Sequence, residues 1–91
     1  MMIARKLFIN GLVQGVGYRF FAQRSAARHQ IRGYVKNLPD GRVEVWVEGS
    51  DTAVSAFKDD LAAGPIEGKV TVIEELVVEA TGLYSAFRID R

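Results

Sequence analysis

Residues 11–20, with the sequence GLVQGVGYRF, combine the residue types needed to hold an anion. Gly15 and Gly17 precede Arg19, at the point where apolar spacing predicts that a helix begins. A junction between a strand and a helix leaves several backbone N–H groups without an intrahelical partner. Glycines let these donors converge, because they lack the Cβ atom that blocks close approach or forbids unusual backbone angles. The stretch therefore predicts a cradle for an anion.

Arg19 is the residue that we expect to supply most of the charge. Its planar guanidinium can bind a pair of phosphate oxygens, whereas a lysine acts as a point charge, and the helix end itself contributes only ~1 kcal/mol. The same residues have a structural interpretation, since glycines are common in turns and a first-turn arginine can simply be solvated. A cation at a helix N-terminus is slightly unfavourable, which favours a function only weakly. These residues alone leave both interpretations open.

Length and composition predict one globular domain covering residues 1–91. Hydrophobic residues make up 48% of the chain and charged residues 25%, a balance typical of packed proteins. The chain has no cysteine, so neither disulfides nor a thiolate zinc site can stabilise it. No apolar stretch is long enough for a signal peptide or a membrane span, and we therefore expect a cytoplasmic protein that does not bind membranes.

Charge is distributed unevenly along the chain, although its net value is only +1. Residues 1–42 contain eight lysines and arginines against a single acidic residue, Asp40, whereas residues 43–91 contain four basic and ten acidic residues. A basic half indicates an anionic partner, either nucleic acid or a small phosphate or carboxylate. The alternative is that the basic half folds back against the acidic half.

The pattern of apolar residues predicts five strands and two helices. Strands are expected at residues 6–13, 31–36, 42–48, 70–79 and 83–89, and helices at residues 18–30 and from Ser50-Asp51 to Gly64-Pro65. The order is βαββαβ with a short extra C-terminal strand. This order predicts an α+β, ferredoxin-like sandwich with an antiparallel sheet and two helices on one face.

The third strand has the clearest alternation. Val43, Val45 and Val47 share one face, and Glu44, Trp46 and Glu48 share the other. We expect a half-buried strand, antiparallel to the strand before it, with the valines inside and Trp46 packed on the half-open face.

Two motifs in the chain, GLVQGVGYR at residues 11–19 and GYVKN at residues 33–37, resemble the signatures of the acylphosphatase family. Residues 11–19, GLVQGVGYR, fit the family signature G-x-V-Q-G-V-x-[FY]-R at every specified position. The second signature is a Gly-aromatic-Val-basic-Asn run followed by a glycine and an alternating strand. Residues 33–37, GYVKN, and then Gly41, Val43 and Gly49 fit it in order. The resemblance covers nearly the whole chain.

This resemblance implies hydrolysis of the carboxyl–phosphate bond of acyl phosphates to a carboxylate and inorganic phosphate. It gives Arg19 the phosphate-binding role and Asn37 the positioning of the attacking water. Loop amides would help to bind the phosphate, from Gln14, Gly15, Val16, Gly17, Tyr18 and Arg19. A carboxylate leaves phosphorus readily, so positioning and electrostatics can suffice. We accordingly expect no metal, no cofactor and no covalent intermediate.

Two other functions use the same fold plan. An RNA-recognition module would have aromatic motifs like residues 7–12 and 32–34, but the longer motif breaks after Tyr34 and lies on the wrong strand. A non-catalytic domain that binds an anion is the other alternative. We favour a monomer with a small acyl phosphate as its partner and no nucleic acid.

Several roles remain open in the sequence. Gln14 could contact the substrate or brace the loop, and Lys36 and Arg42 could raise the potential of the site, although a solvated surface is the simpler interpretation. His29, the only histidine, is expected at the end of the first helix as a cap or surface residue. Neither the physiological acyl phosphate nor any influence of the terminal Arg91 can be deduced.

Overall fold

The computed structural model describes all 91 residues and confirms the predicted α+β, ferredoxin-like fold. Its strands are β1 (Met2–Leu12), β2 (Arg32–Asn37), β3 (Val43–Ser50), β4 (Lys69–Val78) and β5 (Phe87–Asp90). Its helices are α1 (Tyr18–Arg28) and α2 (Asp51–Ala63). Neither helix is long and apolar enough to cross a membrane.

The strands form one sheet in the order β4-β1-β3-β2-β5. The first four strands of this order pair antiparallel, as predicted, whereas the short β5 runs parallel to β2, with Val35 opposite Ile89. Both helices pack against one face of the sheet, where alternate residues of the strands are buried. The core has members from every element except β4, among them Leu7, Ala22, Val35, Val45, Phe57 and Phe87.

The ends of both helices follow from local sequence. Ser50 begins α2 because its side chain accepts a hydrogen bond from the Ala53 N–H at 3.2 Å, and Gly64 ends it. His29 is the C-cap of α1, which confirms its predicted place. The helix ends earlier than expected, because Gln30 adopts a φ of 58° and the Ile31 N–H donates back to the Ala26 carbonyl at 2.8 Å.

The outer face of β3 is more buried than its alternation predicted. Glu44 and Glu48 are only 7% and 1% exposed, so the expectation of a half-buried strand was wrong for these two carboxylates. The Glu44 carboxylate accepts a hydrogen bond from the Tyr34 hydroxyl and lies 3.9 Å from both Lys6 Nζ and Lys36 Nζ. Glu48 is covered because the chain between β4 and β5 crosses this face. The Glu48 carboxylate accepts hydrogen bonds from Thr81 N at 3.0 Å, Thr81 Oγ1 at 2.8 Å and Gly82 N at 3.0 Å.

The last strand begins at Phe87 and not at Leu83 as predicted. The residues before it cannot pair in the sheet, because Glu48 holds the chain over the outer face and Tyr84 packs on that face. The Tyr84 ring lies 6.1 Å from the ring of Tyr34 and 6.4 Å from that of Trp46. Trp46 therefore packs on the half-open face as expected, and its Nε1 donates to Glu48 at 2.7 Å.

Most of the basic half folds back against the acidic half. Five of its eight cations lie within 4.0 Å of acidic residues from the second half, in the pairs Arg5–Glu75, Lys6–Glu44, Arg28–Asp60, Lys36–Glu44 and Arg42–Glu74. The other three, Arg19, Arg24 and Arg32, form no ion pair. The uneven charge is therefore mainly internal compensation, and Arg19 is one of the exceptions.

Candidate functional site

The loop between β1 and α1 has the backbone geometry of an anion cradle. Gly15 and Gly17 have φ values of 76° and 75°, whereas Val16 between them does not have a positive φ. This alternation turns successive N–H groups toward one side of the loop. A Cβ added to either glycine would meet no heavy atom within 4 Å. Glycine is therefore favoured by the backbone angles, and the space beside the loop is open.

The N–H groups of this loop have no partner in the protein. From Gln14 to Phe20 no backbone N–H donates to a backbone carbonyl, and the first one that does is Phe21, to the Gly17 carbonyl at 3.0 Å. No side chain caps α1, and its first turn contains no acidic residue. A run of donors at the positive end of a helix is thus available to an external anion.

Gln14 holds the loop against the turn that joins β2 to β3. Its Nε2 group donates to the Leu38 carbonyl at 2.8 Å and to the Arg42 carbonyl at 2.9 Å. Both hydrogens of the amide are used in these bonds. Of the two roles left open by the sequence, the structure places the NH₂ group of Gln14 in the bracing one. Because Asn37 immediately precedes this turn, the brace also brings the loop next to Asn37.

Asn37 is the last residue of β2, opposite Val43 of β3. Its Oδ1 atom is the only buried side-chain oxygen or nitrogen in the protein without a hydrogen-bond partner. Buried polar groups are nearly always paired, so an unpaired carboxamide oxygen is an exceptional feature. Neither the oxygen nor the nitrogen of the Asn37 amide is therefore engaged in a hydrogen bond within the protein.

The Arg19 guanidinium lies at the same end of the sheet as Asn37. Its Nη1 atom donates to the backbone carbonyl of Asp90 at 3.4 Å, and Asp90 pairs in register with Lys36, the neighbour of Asn37. This long hydrogen bond and the absence of an ion pair leave the other N–H donors of the fork unengaged. The sequence could not have indicated the contact, because its acceptor is a main-chain oxygen.

Tyr18 contributes its backbone to the loop but its side chain to the core. The ring is 1% exposed, and its hydroxyl donates to the Leu61 carbonyl at 2.7 Å. Burial raises the pKa of this phenol. Tyr18 therefore fixes the start of α1, and with it the position of Arg19, by attaching this end of the helix to α2.

Lys36 and Arg42 lie on the outer face of the sheet. Lys36 Nζ is 3.9 Å from Glu44, and Arg42 pairs with Asp40 at 2.8 Å while its guanidinium lies 4.8 Å from the centre of the Phe8 ring. Their charges are compensated by these neighbours, so the surface interpretation fits both residues. No three His, Cys, Asp or Glu side chains anywhere in the protein converge as a metal-ligand group.

Two surface depressions flank the molecule. The larger groove lies at the opposite end of the sheet, between the C-terminus of α1 and the start of α2, and contains none of the predicted site residues. The smaller one, here named the loop recess, adjoins the glycine loop through Val16. Its remaining lining residues are Phe21, Arg24, Gly64, Pro65, Ile66 and Glu67.

Comparison with known proteins gives one consistent result. The family model described as Acylphosphatase matches residues 5–89. A protein of Actinobacillus succinogenes named Acylphosphatase is 46% identical over 90 residues, covering 99% of this chain and 100% of its own length. One of Solibacter usitatus with the same name is 45% identical over 86 residues, covering 94% and 88%. The crystal structure of acylphosphatase from Bacillus subtilis superposes with a TM-score of 0.94 at 34% identity and covers 100% of both chains.

Proposed function

Because this chain belongs to the acylphosphatase family and is an enzyme that hydrolyses acyl phosphates, we propose that Arg19 and the loop amides hold the phosphate while Asn37 positions the attacking water. The proposed reaction converts an acyl phosphate and water into a carboxylate and inorganic phosphate. The oxygen of the water forms a new bond to phosphorus, and the bond between phosphorus and the carboxyl oxygen breaks.

One observation carries the assignment of the phosphate site. A run of unpaired backbone donors, residues 14–20, lies at the N-terminus of the helix that also presents the unpaired guanidinium of Arg19. The donors match the several oxygens of a phosphate, and the guanidinium matches its charge. In this proposal Arg19 exchanges its long bond to the Asp90 carbonyl for shorter, charge-assisted bonds to the phosphate.

Asn37 is suited to hold a water because nothing in the protein occupies its carboxamide. The oxygen of an amide accepts a hydrogen bond from water, and its NH₂ group donates to a phosphate oxygen. A rotation about the last side-chain torsion exchanges the two ends and breaks no hydrogen bond. Asn37 can therefore orient a water while contacting the phosphate that this water attacks.

Hydrolysis of an acyl phosphate depends more on positioning than on acid–base catalysis. A carboxylate is a good leaving group, so the transition state needs charge stabilisation and alignment of the water. Preorganised N–H donors and a guanidinium supply the first, and Asn37 supplies the second. We therefore propose a reaction without a metal ion, a cofactor or a covalent intermediate, carried out by one domain that spans residues 1–91.

The test is the release of inorganic phosphate from acetyl phosphate and benzoyl phosphate in excess chelator, corrected for spontaneous hydrolysis. We expect turnover of both compounds, with no increase when Mg²⁺ replaces the chelator. Turnover that requires added Mg²⁺ would contradict the metal-free mechanism, and no turnover of either compound would contradict the proposed activity.

We propose a small molecule, and not RNA, as the partner of this chain. The outer sheet face carries the rings of Phe8, Tyr34 and Trp46, but Arg42 covers Phe8 and Tyr84 packs against the other two. These rings are thus engaged within the protein and poorly placed to stack on bases. Titration with single-stranded RNA at physiological salt should show no tight, sequence-dependent binding.

We further infer that the enzyme acts as a monomer in the cytoplasm. Every proposed site residue comes from one chain, so the site needs no second subunit, and a chain without cysteine suits a reducing compartment. Sedimentation at assay concentration should give the mass of one chain, 10.1 kDa.

A further inference from the structure

We propose that the loop recess binds the acyl group of the substrate and favours large apolar acyl groups over small ones. This inference rests on the proposed function, because it places the phosphate in the glycine loop. Val16 belongs both to that loop and to the lining of the recess. An acyl group that extends from the phosphate past Val16 would therefore contact the recess.

Gly68, which directly follows the lining residue Glu67, packs against Val16 of the glycine loop. A Cβ placed on Gly68 would lie 3.3 Å from Val16 Cγ2, 3.3 Å from Pro65 Cγ and 3.2 Å from the Leu12 carbonyl. Residues 65–68 thus pack beside the end of β1 and against the middle of the glycine loop. The recess therefore borders the glycine loop at Val16, the one residue that the loop and the lining share.

Large apolar side chains are unusually exposed at this end of the molecule. Ile66, which lines the recess, is 103% exposed, and Phe20, which directly follows Arg19, is 68% exposed. Leu12, at the end of β1, is 58% exposed. Single exposed apolar residues need no explanation, but several around one binding loop indicate a surface that an apolar ligand covers.

The charges that line the recess do not favour an anionic acyl group. Arg24 and Glu67 are its two charged lining residues, and neither forms an ion pair within the protein. Their opposite charges offset each other for a ligand that lies between them. An acyl group with a second phosphate or carboxylate would gain little, whereas an aromatic or branched acyl group would bury apolar area against Val16, Phe21 and Ile66.

The experiment compares kcat/KM for benzoyl phosphate and acetyl phosphate in the native enzyme and in Ile66→Ser. Removing one exposed wall of an apolar site should lower the benzoyl value about fivefold and the acetyl value less, so that the ratio of the two falls. Leu83→Ser is the matched control, because Leu83 is 84% exposed but lies in the segment between β4 and β5 and does not line the recess. It should leave both values unchanged.

The possible outcomes separate this inference from the proposed function. If the native enzyme hydrolyses neither compound, the proposed function fails. If it hydrolyses both, and Ile66→Ser lowers both equally or neither, the recess does not bind the acyl group and the inference is overturned. Thermal unfolding of each variant establishes that the substitutions, both at exposed side chains, leave the fold intact.

Discussion

The two helices of this protein begin in opposite ways. At the start of α2 the chain caps its own N-terminus, with the Ser50 side chain accepting from the Ala53 N–H and Asp51 in the first turn. At the start of α1 it does not, since Gly17 offers no capping side chain and Arg19 places a cation in the first turn. At α2 the Ser50 side chain accepts a hydrogen bond from one of the unpaired backbone donors, whereas at α1 no side chain does so. In our proposal, α1 gives up local stability for the binding of the phosphate.

The same contrast separates two polar side chains. Glu48 is almost fully buried, but Trp46, Thr81 and Gly82 donate to both of its carboxylate oxygens. Asn37 Oδ1 is buried as well and has no donor. The fold therefore satisfies the hydrogen-bonding groups of Glu48, whereas in our proposal the free oxygen of Asn37 is reserved for a ligand. Substitutions at the two kinds of position should therefore affect different properties.

Arg19→Gln should produce the largest change, a loss of kcat/KM for acetyl phosphate of ~10³-fold or more. The substitution removes the only charge that we place on the phosphate. The free energy of unfolding should change little, because Arg19 has no ion pair and one hydrogen bond of 3.4 Å. Arg32→Gln is the matched control, since it removes an unpaired arginine at the opposite end of β2, and it should retain full activity.

Asn37→Ala should lower kcat by roughly 10²–10³-fold without destabilising the protein. The water loses its positioning group, while the fold loses only a carboxamide without hydrogen bonds. Steady-state kinetics and urea unfolding measure the two effects. Asn10→Ala serves for comparison, because the Asn10 amide donates to Val72 and Glu74 and lies outside the site. A fully active Asn37→Ala enzyme would contradict the assignment.

Glu48→Gln should act in the opposite sense, lowering the free energy of unfolding by about 1–3 kcal/mol and leaving kcat/KM of the folded enzyme unchanged. An NH₂ group in place of a carboxylate oxygen would face the N–H donors of residues 81 and 82. Urea denaturation at neutral pH measures the loss. A loss of activity with unchanged stability would show that Glu48 belongs to the site.

The acid dependence of the same variant provides a further check. Burial alone would raise the pKa of Glu48, but the hydrogen bonds from Trp46, Thr81 and Gly82 outweigh it and hold the pKa below its ordinary value of 4.5. The contribution of the ionised Glu48 carboxylate to the free energy of unfolding is present above pH 4.5 and is lost as pH falls through the folded-state pKa. Hydrogen bonds from Ser25 and Arg28 lower the pKa of Asp60 to about 2. Because Asp60 titrates in both the native enzyme and the variant, its contribution cancels in the difference between their free energies of unfolding. The difference in the free energy of unfolding between the native enzyme and Glu48→Gln should therefore become smaller in acid.

Ser50→Ala should have the smallest effect, a loss of about 1 kcal/mol in the free energy of unfolding. It removes the hydrogen bond from Ala53 N–H to Ser50 Oγ, so that no side chain caps the start of α2, as is the case for α1. Because this N-terminus binds no substrate in our proposal, kcat/KM should stay within experimental error. A change in activity would show that the two helix starts are not functionally distinct.

Local patterns were sufficient for most elements but not for the segment after β4. The alternation of Val43, Val45 and Val47 and the capping position of Ser50 report contacts within a few residues, so they predicted β3 and α2 correctly. The burial of Glu48 depends on residues more than thirty positions later in the chain. The residue pattern within β3 therefore does not predict that contact.

By itself, the sequence determined the order of elements, the glycine loop and the presence of an arginine in the first turn of α1, because each depends on residues that are close together in the chain. Only the tertiary structure decided that Gln14 braces the loop, that Arg19 reaches the Asp90 carbonyl and that the Asn37 oxygen stays unpaired. These features join segments that are distant in sequence, and their partners are main-chain atoms or no atom at all. A residue pattern does not predict these features, because every residue has a main-chain carbonyl and the absence of a hydrogen bond requires no particular residue type.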